Sequence, residues 1–193
     1  MLFLVGAFVV RVVGMTGTSH GLVVWLTGLP AAGKSTLALA LRDSLEKAGQ
    51  AACIIDDDVL RQGLCSDLGF SAKDRQENVR RAGEIAKIIA EQGIIAIVAL
   101  VSPYERDRRA VRERLPPHRF FEVHVDCSVE ECRRRDPKGL YRRADRGQIP
   151  QFTGVSDPYE APSKPELRVR TQDDPVQVSL DQLLAAVTEA IKR

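Results

Sequence analysis

Gly28-Leu29-Pro30-Ala31-Ala32-Gly33-Lys34-Ser35-Thr36 is a complete G-x-x-x-x-G-K-[ST] match, and its reading decides the fold. Gly28 and Gly33 let the backbone turn tightly, so that successive N–H groups point inward at phosphate oxygens. The loop then opens a helix near Lys34, whose N-terminal N–H groups and positive dipole end favour an anion. In such a phosphate-binding P-loop, Lys34 reaches the β- and γ-phosphates of a nucleotide and the Ser35 hydroxyl ligates Mg²⁺. The flanks agree. Gly21-Leu22-Val23-Val24-Trp25-Leu26 is a short apolar run before the loop, and Leu37, Leu41 and Leu45 repeat at helical spacing behind it. A glycine turn with a purely structural purpose does not require Gly, Lys and Ser at these offsets.

Downstream, Gly49 stops the helix, and Ala51-Ala52-Cys53-Ile54-Ile55 reads as a buried-type strand running into Asp56-Asp57-Asp58. Acids at the carboxyl end of a strand face the ligand crevice of an α/β sheet. Three adjacent carboxylates also fit a solvated turn. If the strand continues, its alternation points Asp56 and Asp58 the same way, a pair suited to Mg²⁺ or to orienting an attacking hydroxyl.

Leu64, Leu68 and Phe70 form an apolar island. Ser71 and Asp74 then match the S-x-x-[DE] start of a helix over 73–92, with Arg75, Asn78 and Arg80 near its beginning. Residues 94–101 are uniformly apolar, the mark of an interior parallel strand. Ser102-Pro103 breaks it, an arginine-rich helix follows, residues 120–126 form a strand with His124 as a structural residue, and 129–135 form a short helix.

From 136 to 165 periodicity fails while prolines, glycines and cations accumulate. Leu140, Tyr141, Ile149, Phe152 and Tyr159 are costly to leave in water, so this stretch reads as a lid over an anionic ligand. A last strand over 167–169 and an amphipathic C-terminal helix complete the chain. The class is α/β: a P-loop NTPase-type, mostly parallel sheet with helices on both faces and a lid in the C-terminal half.

The 193 residues, 44% hydrophobic and 28% charged, fit one domain, set at 21–193 with its lid at about 136–165. A formal net charge of +2 gives no global field for nucleic acid or a membrane surface, so neither is expected as a partner. Cys53, Cys65, Cys127 and Cys132 lack metal-ligand spacing and read as reduced cytosolic thiols, Cys53 as a small buried hydrophobe. Met1 to Val13 are almost all apolar but too short to span a bilayer and without signal-peptide features. Residues 1–20 are therefore expected to be an N-terminal extension, with Met15 a natural start.

With these motifs in hand, the sequence resembles the adenylyl-sulfate kinases, P-loop enzymes that phosphorylate the 3′-hydroxyl of adenosine 5′-phosphosulfate. The resemblance is carried by the P-loop, Asp56 to Arg61, Asp67-Leu-Gly-Phe70, Asp74 to Arg81, Ser102-Pro-Tyr104, Asp136-Pro-Lys-Gly-Leu-Tyr141, Phe152-Thr-Gly154 and Asp157 to Pro162. It implies ATP held by Gly28 to Thr36, Mg²⁺ held by Ser35, Asp56 and Asp58, charge neutralisation by Lys34, and Asp58 orienting or deprotonating the acceptor hydroxyl. Arg61, Phe70, Arg75 and Asn78 then hold the phosphosulfate substrate, Phe152 stacks on its adenine, and Lys138 is the lid lysine. Ser102 matches the family's phosphoserine position. No base lies near it in sequence, and in-line transfer needs no covalent intermediate, so Ser102 reads as a substrate-contacting residue.

The resemblance further implies a cytoplasmic homodimer and an association with ATP sulfurylase. The family's usual Asp-Gly-Asp-Asn is here Asp56-Asp57-Asp58-Val59. The added charge either tightens Mg²⁺ or repels the substrate. Two other readings stand beside the kinase: a small-molecule P-loop kinase with another acceptor, and a nucleotide-binding regulatory subunit whose catalysis Asp57 and Val59 weaken.

Overall fold

The computed structural model describes residues 21–192, and the expected N-terminal extension lies outside them. Strands β1 (Val23–Thr27), β2 (Ala52–Asp56), β3 (Ile95–Ala99), β4 (Phe120–Asp126) and β5 (Leu167–Arg170) form one sheet in the order β2-β3-β1-β4-β5. Every pairing is parallel, with Val24 of β1 opposite Ile97 on one side and Phe121 on the other. Helices α1 (Lys34–Lys47), α2 (Asp57–Gln62), α3 (Ala72–Glu91), α4 (Glu105–Arg112), α5 (Val129–Arg135), α6 (Leu140–Asp145) and α7 (Val176–Ile191) intervene.

Strand alternation divides the core into two layers. Val24 and Leu26 of β1 pack with Leu37, Leu41 and Leu45 of α1 and Leu180, Leu183 and Val187 of α7. Val23 and Trp25 face the other way, onto Val79, Ala82 and Ala86 of α3 and Val111 of α4. Burying each leucine of α1 stabilises the fold by about 1.5–3 kcal/mol, which explains why a continuous apolar run, covered on both faces, makes a sound central strand. Trp25 also stacks on Phe120 with ring centres 5.7 Å apart.

Because β1 sits between β3 and β4, the chain leaves it toward one edge and later returns to its other side. That switch opens a crevice outside the carboxyl end of β1, where the P-loop lies. At the edge of the sheet β2 has one neighbour, so Cys53 is half-buried and not the buried hydrophobe its apolar run implies. Cys65, Cys127 and Cys132 are buried, and all four thiols are free.

Three local expectations are corrected. Strand geometry does not continue through the acidic run: β2 stops at Asp56, and Asp57 begins α2. Asp56 has extended backbone and caps that helix, its Oδ1 accepting from the Asp58 N–H at 2.9 Å. Aspartate is a strong cap and acids favour a first helical turn, so the helix overrides the alternation. The stretch from 136 is likewise not devoid of helix, since the Asp136 carboxylate accepts from the Tyr141 and Arg142 N–H groups and anchors α6. The apolar island is only partly an island of core: Leu68 is half-buried, whereas Leu64 and Phe70 are exposed, Phe70 by 52%.

Candidate active site

A cavity of about 960 Å³ opens at the carboxyl end of the sheet. The P-loop walls one side, Arg61, Phe70 and Arg75 wall the other, and Lys138, Tyr141 and Phe152 of the lid close over it.

The P-loop is shaped by its glycines. Gly33 has φ +99° at the start of α1, and no side chain caps that helix. A Cβ on Gly28 would lie 2.5 Å from the Val125 carbonyl oxygen of β4, so the loop passes where only glycine fits. The buried Lys34 ammonium donates to the carbonyls of Gly28 and Leu29 at 2.9 and 2.8 Å, which holds it in the mouth of the loop. Burial pulls its pKa down to about 8, with the Asp57 carboxylate the main opposing influence. Pro30, Ala31, Gly33, Lys34, Ser35 and Thr36 line the cavity, while Leu29 and Ala32 are buried beneath it.

The three consecutive aspartates part company. Asp56 Oδ2 accepts from Ser35 Oγ at 2.7 Å. Asp57 Oδ1 accepts from Asn78 Nδ2 at 2.8 Å and lies 3.2 Å from Arg61 Nε. Asp58 pairs with Lys138 from the lid. Ser35, Asp56 and Asp58 all line the cavity, but only Asp56 is hydrogen-bonded to Ser35. Among the described residues no three His, Cys, Asp or Glu side chains form a metal site by themselves. A hydroxyl beside one carboxylate suits Mg²⁺, which is usually held by one or two carboxylates together with substrate phosphates.

On the far wall, the Arg61 guanidinium carbon sits 4.3 Å from the centre of the Phe70 ring and that of Arg75 5.6 Å from it. Arg75 is fixed by donation from Nε to the Phe70 carbonyl at 3.0 Å and from Nη2 to the Gln151 carbonyl at 2.7 Å. Its burial pulls the guanidinium pKa down, and Asp157, 3.8 Å away, opposes this. Phe152 meets Tyr141 edge-on at 5.0 Å, and the Tyr141 hydroxyl donates to the Pro30 carbonyl at 3.1 Å, so the lid touches the P-loop directly.

Besides Gly28, Leu29 and Ala32 of the P-loop, two sequence-predicted residues stand outside the cavity wall. Ser102 is 3% exposed and its hydroxyl accepts from the Trp25 indole at 3.0 Å, behind the end of β1. The position at the end of an apolar strand did not reveal that this strand's last turn folds inward, with Ser102 at φ +38°. Asn78 is buried at one remove, behind Asp57. Conversely, Arg135, Thr171, Asp174 and Val176 line the cavity and escaped sequence reading. Thr171 Oγ1 donates to the Ala32 carbonyl at 2.8 Å, and Arg135 Nη2 to the Thr171 carbonyl at 2.5 Å. The signal was present: Thr171 follows the last strand, and carboxyl ends of strands face the crevice.

The family model described as adenylylsulphate kinase matches residues 20–170. The chain belongs to the adenylylsulphate kinase family. An adenylyl-sulfate kinase of Paraburkholderia xenovorans is 50% identical over 167 residues, covering 86% of this chain and 93% of the relative. The APS kinase of Mycobacterium tuberculosis, solved in complex with AMPPNP and APS, superposes with a TM-score of 0.83 at 37% identity, over 88% of this chain and 98% of that one. The hexameric APS kinase of Thiobacillus denitrificans gives a TM-score of 0.67 at 33% identity, over 89% of this chain and 29% of that one. Membership of the adenylylsulphate kinase family agrees with the parallel sheet and the P-loop at its switch point. Among the described residues no helix is long and apolar enough to cross a membrane.

Proposed function

We propose that this chain transfers the γ-phosphoryl group of ATP to the 3′-hydroxyl of adenosine 5′-phosphosulfate, giving 3′-phosphoadenylyl sulfate and ADP. The observation that carries the reading is one cavity joining an intact P-loop, with Lys34 in its mouth, to an arginine-flanked Phe70 ring. The first half binds a polyphosphate. The second offers a π-face and fixed cations to an aromatic, doubly anionic acceptor.

In the transfer, O3′ of the acceptor bonds to the γ-phosphorus, the bond from that phosphorus to the bridging oxygen breaks, and ADP leaves with the electron pair. Little covalent chemistry falls to the protein, so positioning and charge dominate. The P-loop N–H groups and Lys34 take the phosphates. Ser35 Oγ and Asp56 Oδ2 are hard oxygen donors that fit Mg²⁺, which when bound offsets negative charge on those phosphates. Asp58 orients the acceptor hydroxyl and receives its proton once Lys138 lets go of the carboxylate. Arg61, Phe70 and Arg75 hold the phosphosulfate nucleotide, and Phe152 bears on its adenine.

We place the activity in the cytoplasm, in keeping with four free thiols. Self-association as a homodimer follows from the family resemblance alone, and sedimentation of the purified chain tests it. An association with ATP sulfurylase is tested by co-purification.

The deciding experiment measures ADP release with Mg²⁺ and ATP, with and without adenylyl sulfate, and weighs the nucleotide product. Acceptor-dependent ADP and a product one phosphoryl group heavier bear the proposal out. Binding of adenylyl sulfate without turnover supports a regulatory subunit instead, and turnover with other acceptors only supports a different small-molecule kinase.

A further inference from the structure

We infer that Asp57 is a resident anion on the acceptor side of the cavity: its carboxylate occupies Arg61 and Asn78 until the acceptor displaces it, and so sets the affinity for the acceptor. The inference rests on the phosphosulfate acceptor proposed above.

The three neighbouring aspartates do different things because α2 starts between them. Successive helical residues are turned by about 100°, so Asp57 and Asp58 cannot face one way. Arg61 lies four residues after Asp57, one turn along the same helix face, and the two side chains meet at 3.2 Å. Asn78 comes from α3 and donates Nδ2 to the same Asp57 oxygen at 2.8 Å, while its own Oδ1 is buried without a hydrogen-bond partner. An amide donor from α3 and a guanidinium from α2 thus converge on one carboxylate oxygen, the first by a hydrogen bond and the second by an ion pair that leaves Arg61 Nε, buried, without a hydrogen-bond partner. Asp57 remains 27% exposed at the side chain and lines the cavity, within reach of a ligand.

An entering phosphate or sulfate oxygen needs the amide and the guanidinium that Asp57 faces. The incoming dianion meets a cationic wall that is already partly neutralised, plus a like charge, and it must exchange one anion for another. On the nucleotide side Asp57 makes no hydrogen bond or ion pair among the described residues and acts on Lys34 only through its field, since it is Asp56 that receives the Ser35 hydroxyl. The sequence left two outcomes open for the added carboxylate, tighter metal or opposition to substrate. Its partners favour opposition to substrate.

Asp57→Asn keeps the shape and an acceptor for Asn78 but removes the charge that faces Arg61; Asp57→Gly removes both contacts. With saturating ATP, the KM for adenylyl sulfate is expected to fall roughly three- to tenfold in Asp57→Asn, the scale of one partly exposed ion pair and one like charge, and at least as far in Asp57→Gly. The dissociation constant of adenylyl sulfate from the ADP-loaded protein should fall in parallel, while the KM for ATP moves less. If Asp57→Gly melts early, Asp57→Asn carries the test. An unchanged or higher KM for adenylyl sulfate in folded Asp57→Asn overturns the inference, as does an equal shift in the KM for ATP. Acceptor-dependent turnover by the wild type keeps the functional reading standing in either case. Its absence in the wild type, with ADP still bound, removes the acceptor reading and this inference with it.

Discussion

Ser35 donates its hydroxyl to Asp56 at 2.7 Å, tying the first turn of the P-loop helix to the end of β2. The same carboxylate caps α2 through its other oxygen. Substitution separates these two roles. Asn caps a helix about as well as Asp, so Asp56→Asn should leave the melting temperature nearly unchanged while raising, by roughly tenfold or more, the Mg²⁺ concentration needed for half-maximal rate. Asp56→Ala loses the cap too and should cost a further ~1 kcal/mol of stability. Ser35→Ala should lower kcat by about a hundredfold, the scale of one preorganised contact to the reacting phosphates. Mg²⁺ titrations of rate beside thermal melts check all three. Equal Mg²⁺ dependence in wild type and Asp56→Asn would remove Asp56 from the metal site.

Gly154 lies on the lid at φ +86°, and a Cβ there would come 2.7 Å from Leu29 Cδ2 of the P-loop. The lid therefore rests on the loop at a point where a side chain does not fit. Gly154→Ala is expected to cost about 1–2 kcal/mol through the left-handed backbone, and to raise the KM for ATP because Leu29 must shift. Adding Leu29→Ala removes the clash but not the strain. The double variant should recover the KM for ATP better than it recovers stability, and if the two recover together the contact is not what couples lid to loop.

The layered sheet was legible because each strand is short, apolar and bounded by turn residues, and because the P-loop pins the first βα unit. The extents of β4 and α5 read from sequence coincide with those in the structure. The site was legible where one residue type does one job at a fixed offset, as with Lys34 and Ser35. It was illegible where a local rule competes with a longer one. Asp56 ends a strand and also caps a helix, so a period of two carried through Asp58 failed. Ser102 follows an apolar strand, and only its tertiary partners, Trp25 and Arg108, show that it turns inward. Arg108 itself was one of several cations in an arginine-rich helix, with nothing in the sequence to set it apart.

Arg108 is 1% exposed and binds three segments at once. Its Nε donates to Glu122 of β4 at 2.7 Å, its Nη1 to the Ser102 carbonyl at 2.7 Å, and its Nη2 to the Glu160 carbonyl at 2.8 Å, where the lid returns to the domain. Arg108→Met leaves the Glu122 carboxylate with Arg112 alone, 3.4 Å away, and should cost about 3 kcal/mol, toward the low end for breaking a buried pair. Arg108→Lys keeps the charge but not the fork and should fall between. Urea unfolding gives the order, and a Met variant as stable as the Lys variant would show that the charge pairing contributes little.

His124 supplies a pH dependence whose sign follows from its burial. The ring stacks on Tyr159 at 6.1 Å, and desolvation lowers its pKa below the ordinary 6.5, with Asp126 opposing and Arg168 and Arg108 assisting. Well above 6.5 the histidine is neutral whether the chain is folded or not, and it contributes no slope. As the pH falls through 6.5 the unfolded chain takes up a proton that the folded chain does not, so stability declines until the pH passes below the folded-state pKa and then levels. His124→Gln, which does not titrate, should lose less stability than wild type on going from about pH 7 to about pH 5. Urea melts of both proteins across that range test it. Parallel decline in the two would mean that other groups, and not this buried imidazole, drive the acid sensitivity.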